Sequence, residues 1–109
     1  MAGRGTSGAE DSFDTDVTAI EKLCTHAMAQ IRAVPDPDRA FECATRLVSL
    51  GQDIAERGAG ERAVAAARIK DARKQTLEAL GDMYSMSKQR FGKLVEKGKK
   101  LRENPAGED

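Results

Sequence analysis

Seven cations gather near the C-terminus of this 109-residue chain. Between Lys88 and Arg102, the residues Lys88, Arg90, Lys93, Lys97, Lys99, Lys100 and Arg102 stand against one acid, Glu96. Side chains of this length carry donors that reach phosphate oxygens and base edges, so the chemistry they offer is capture of a nucleic acid. The whole chain is formally neutral, but its halves are not. Up to Gly60, six basic residues face ten acidic ones; from Glu61 onward, twelve face eight. A basic end on an acidic body is the charge division of a polyanion-binding protein.

Other chemistry is thinly supplied. Cys24 and Cys43 stand alone, with neither a CxxC pair nor a histidine at metal spacing, and read as reduced, partly buried small apolar residues. The single histidine, His26, falls off the apolar stripe of its segment and reads as a surface residue. With one His and no clustered acids the expectation is no enzyme, no metal and no cofactor.

The cations need a scaffold, and the segment Leu77–Val95 supplies the parts of one. Two short helices crossing steeply need a small residue at the crossing, and Gly81 is small. Leu77, Leu80 and Tyr84 precede the turn and Met86 sits in it, all read as core. Phe91, Leu94 and Val95 return at helical spacing in the second helix. Ser87 is a natural N-cap for that helix and Thr76 for the first. The exposed positions that follow Ser87 are Lys88, Gln89, Arg90 and Lys93. The bland alternative is an ordinary helical hairpin with a solvated basic face.

Thr76 to Val95 resembles the TLEEIGxxxGMSxxRVxxL type of helix-turn-helix, found in region 4 of sigma factors and in small sigma-region-4-like regulators of actinobacteria. The resemblance covers about residues 68–100. It implies double-stranded DNA binding, with Ser87 to Lys97 as recognition helix and Lys88, Gln89, Arg90 and Lys93 where such proteins touch DNA. Lys97, Lys99 and Lys100 would add phosphate contacts. Glu78 falls where the family often has an acid. Two positions depart from the pattern. Ser85 stands where Gly is usual, which asks a serine to take positive φ at a cost of order 1 kcal/mol. Phe91 replaces Val or Ile, which asks for a roomier pocket. The N-terminal half has no aromatic-rich promoter-melting helix, so a complete sigma factor is excluded.

The rest of the chain reads as helix too, with no strand or hairpin signal. A first helix is expected over about 14–33. Its stripe of Phe13, Val17, Ile20, Cys24, Ala27, Ile31 and Val34 steps alternately by four and three, widened by Leu23 and Met28. That seam serves either as an ordinary packed face or as a self-association surface built from Val17, Ile20, Cys24, Ala27 and Ile31. Pro35 ends this helix, while Asp36 caps and Pro37 opens a second. The second is expected to bury Ala40, Phe41, Ala44, Leu47, Val48, Gly51, Ile54 and Ala55, and to stop at Gly58-Ala59-Gly60. A third, from Glu61 to about Lys74, would carry Val64, Ala65, Ile69 and Ala72 inward and Arg68, Lys70, Arg73 and Lys74 outward.

The expected whole is an all-α protein of about five helices: a tail (1–12), a helical hairpin (13–58), a helix-turn-helix domain (61–102) and a second tail (103–109). No segment suits a membrane span or a signal peptide, so the expected location is the cytoplasm, at the nucleoid. The expected role is that of a transcriptional regulator, paired as a homodimer because one motif buries too little surface for tight specific binding. Two rivals compete. One is an adaptor docking another protein, RNA polymerase for instance, through the hairpin; the other is a sequence-blind architectural DNA binder.

Overall fold

The computed structural model describes residues 7–103, and these are almost entirely helical, in four helices with no strand among them. They are α1 (Gly8–Ala33), α2 (Pro37–Ala72), α3 (Leu77–Met83) and α4 (Lys88–Glu103). The expected tails fall in large part on 1–6 and 104–109, which lie outside the described residues. No described helix is long and apolar enough to cross a membrane.

Helix α1 starts at Gly8, inside the expected tail and about one and a half turns before Phe13, because Ser7 caps it: the Ser7 hydroxyl oxygen accepts from the Glu10 N–H at 3.0 Å. Glu10 and Asp11 in the first turn suit the positive end of the helix. The connection to α2 follows the chemistry of its residues. Val34 is extended ahead of Pro35, and the Asp36 carboxylate accepts from the Asp38 N–H at 3.0 Å. Pro37 then takes the first helical position.

The expected stop at Gly58-Ala59-Gly60 does not occur. Helix α2 runs unbroken through these residues to Ala72, so four helices replace the expected five. Glycine permits a break without imposing one, and neither a proline nor a capping side chain follows Gly60. The alanine-rich run Glu61–Lys70 is a strong helix former and carries the helix through, against a cost of about 1 kcal/mol per glycine.

The chain divides into two compact units at Ser49/Leu50, inside α2. The first unit holds α1 and the start of α2, and none of its described residues is fully buried. Val17, Ala27 and Ile31 of α1 and its C-cap Val34 are half-buried, as are Ala40, Cys43, Ala44 and Leu47 of α2, while Cys24 is exposed. Phe41, expected inside, is 73% exposed, and Val48 is exposed as well. The apolar arc of α2 here is about half the helix circumference, wider than one neighbouring helix covers. Phe13, Ile20, Leu23 and Met28 of α1 are likewise exposed.

The second unit holds the core. Ala66, Ala67, Leu80, Phe91 and Val95 form one buried cluster, with Ile69, Leu77, Met86 and Leu94 packed against it. The face that α2 turns inward is therefore not the expected one. Ala63, Ala66 and Ala67 are buried, Val64 and Ile69 only half so, and Ala65 and Ala72 are exposed, as are Gly51, Ile54 and Ala55 further up the helix. Small residues are selected because α4 comes very close. A Cβ on Gly98 would lie 2.0 Å from the Ala63 carbonyl oxygen, so the two backbones touch where Gly98 crosses α2.

Candidate nucleic-acid interface

The geometry that presents the cations begins with two caps. The Thr76 hydroxyl oxygen accepts from the Ala79 N–H at 3.1 Å and opens α3. The Ser87 hydroxyl oxygen accepts from the Arg90 N–H at 3.1 Å and opens α4. Each satisfies a backbone donor that the first helical turn leaves without a partner.

Between the caps the turn is tight. The Gly81 carbonyl oxygen accepts from both the Tyr84 N–H, at 3.0 Å, and the Met86 N–H, at 2.8 Å. Ser85 adopts φ 57°, the one positive-φ residue other than glycine among the described residues. A Cβ on Gly81 would lie 2.6 Å from the Met86 carbonyl oxygen and 3.2 Å from that of Ser87. The small residue is thus needed where α3 meets the end of the turn.

Under α4, Phe91 is 2% exposed, in the same cluster as Ala66 and Ala67, whose short side chains leave room for the ring. Tyr84, expected in the core, is 43% exposed. Its ring lies parallel to that of Phe91 with centroids 6.0 Å apart, so Phe91 backs one face and the rest stays open. Tyr84 is already the residue that ends α3, which sets its ring at the margin of the core.

With Phe91, Val95 and Gly98 inward, the polar positions of α4 face out. Ser87, Lys88, Gln89, Arg90, Lys93, Lys97, Lys99 and Lys100 are all exposed. They do not form one patch. Arg90, Lys93 and Lys97 line a shallow groove together with Arg62 of α2, over Met86 and Leu94. Arg62 is a site residue the sequence reading missed. It lies 25 positions before Ser87, and only the close approach of α2 and α4 brings it alongside.

Lys99 lines a different cleft, with Lys70, Arg73 and Lys74 from the end of α2. The last turn of α4 is held there by Arg102, whose guanidinium donates to the Asp71 carboxylate at 2.9 Å. Arg73 also donates to the Met83 sulfur, at 3.8 Å. No family model matches this chain, and no curated protein or solved structure matches it.

Proposed function

We propose that the second unit binds double-stranded DNA through α4, and that the protein is a sequence-directed transcriptional regulator of the sigma-region-4-like helix-turn-helix type. The observation that carries this reading is the exposed groove where Arg90, Lys93 and Lys97 of α4 meet Arg62 of α2, with the opposite face of α4 locked into a core. A helix of this diameter fits a major groove about 12 Å wide. Lys88, Gln89 and Arg90 at its N-terminal end are the side chains to reach base edges, and Lys93 and Lys97 are suited to phosphates. The role is non-enzymatic, at the nucleoid.

The first unit serves as the pairing element of a homodimer. None of its described residues is buried, and Phe13, Ile20, Leu23 and Met28 leave apolar surface on α1 that a second copy would cover. The same exposed surface favours a second reading, in which the unit docks another protein such as RNA polymerase. Mobility shift of a random duplex at low salt, followed by selection from a random oligonucleotide pool, tests the function. Retardation with an enriched site supports it; retardation without enrichment means a sequence-blind binder, and no retardation leaves the docking reading.

A further inference from the structure

The cleft of Lys70, Arg73, Lys74 and Lys99 is not used by the reading above. Its one acid, Asp71, is neutralised by Arg102 at 2.9 Å. No acidic group lies within salt-bridge distance of the four cations among the described residues. Lys70 is half-buried and Arg73 is tethered to Met83, so two of the four are held in place by the fold. Lys74 and Lys99 complete the cleft from exposed positions just past the end of α2 and on α4.

It shares no residue with the groove of Arg62, Arg90, Lys93 and Lys97. At ~100° per residue, Lys99 projects from α4 about 180° away from Arg90 and about 160° away from Lys97. By the same count Lys88 lies within about 20° of Lys99 around α4, so these two are separated by roughly 16 Å along the axis, at 1.5 Å per residue. A duplex seated along Arg90, Lys93 and Lys97, and touching Lys88 only at the first turn of α4, therefore leaves the last turn and its cleft open.

We infer that this second cleft takes the phosphate backbone of a second DNA duplex, so that one copy of the protein joins two DNA segments. The inference rests on the DNA reading of α4. The cleft presents cations to a polyanion without a base-reading helix end, so the second contact is sequence-independent and salt-sensitive. Phosphates of the same duplex and pairing through a dimer are the outcomes to be separated from it.

The test uses the full-length chain and two random-sequence duplexes, one immobilised on beads and one fluorescent in solution. Mobility shift reads binding to the first duplex, and bead fluorescence reads capture of the second. The variant Lys70→Ala/Lys74→Ala/Lys99→Ala alters side chains outside the core. It is expected to lose capture by about tenfold or more while its first-duplex affinity stays within about twofold. The variant Ile20→Asp/Ile31→Asp, which removes pairing through α1, is expected to keep capture. Absence of capture by the wild type, unchanged capture by the triple variant, or loss of capture in the α1 variant would each overturn the proposal. So would a fall in first-duplex affinity as large as the fall in capture, which would place these lysines on the same duplex. Failure of the DNA reading itself looks different: the wild type then shifts no duplex at all.

Discussion

Gly81 and Met86 are joined by a hydrogen bond and separated by too little space for a side chain. The Met86 N–H donates to the Gly81 carbonyl at 2.8 Å, and a Cβ on Gly81 would come within 2.6 Å of the Met86 carbonyl oxygen. The obstructing atom is backbone and cannot swing aside. Gly81→Ala should cost about 1–3 kcal/mol through overpacking, and Gly81→Leu should abolish DNA binding by forcing α4 outward, though Gly81 offers no contact to DNA. Urea unfolding and mobility shift on the same preparations check both; unchanged affinity of the leucine variant would refute the role given to this turn.

Gly98 is the more demanding position. Its Cβ would fall 2.0 Å from the Ala63 carbonyl oxygen and 3.0 Å from the Val64 Cα, again backbone atoms. Gly98→Ala should therefore lower stability by at least roughly 2–3 kcal/mol, even though alanine is the better helix former. Gly92→Ala is the internal control, because its Cβ would meet only the Leu77 Cδ1 at 3.4 Å. Chemical denaturation of the pair should rank Gly98→Ala as much the worse.

Ser85 runs the other way. At φ 57° a serine pays for a conformation that glycine adopts freely. Ser85→Gly should raise the unfolding free energy by about 0.5–1 kcal/mol, after allowing for the greater flexibility of glycine in the unfolded chain. A lowered melting temperature would contradict the strain assigned to the turn.

Binding should depend steeply on salt. With Lys88, Arg90, Lys93, Lys97 and one or two further cations each neutralising a phosphate, log K should fall against log salt with a slope of about −4 to −6. Lys97→Ala should shift all sequences alike and reduce the slope by about one. Arg90→Ala should instead change sequence preference at one position, by about 1–3 kcal/mol. Titrations at several salt concentrations, against selected and random duplexes, separate the two behaviours; a slope near zero would remove DNA from consideration.

Self-association is checked on α1. Ile20 is 51% exposed and Ile31 half-buried on one stripe. Ile20→Asp with Ile31→Asp should yield a monomer whose specific affinity falls far more than its non-specific affinity. Sedimentation velocity at tens of micromolar decides it: a monomeric wild type would leave the stripe as a docking face for another protein.

The sequence determined what neighbouring residues settle among themselves. Thr76 and Ser87 are caps because a hydroxyl three residues ahead of a helical N–H needs nothing else to accept from it. Pro35, Asp36 and Pro37 end one helix and open the next for equally local reasons. Lys93, Lys97 and Lys100 of α4 were legible because charge and a 3.6-residue repeat suffice to put them opposite Phe91 and Val95. Tertiary structure decided the rest. Between Arg62 and Arg68 (RAVAAAR) every position is apolar, so polarity could not say that Ala63, Ala66 and Ala67 face inward; the approach of Gly98 did. The same approach brought Arg62 beside Arg90 and sent Lys99 to a separate cleft, because a residue's partners across a helix crossing depend on which helix lies opposite. Periodicity within one helix carries no record of that.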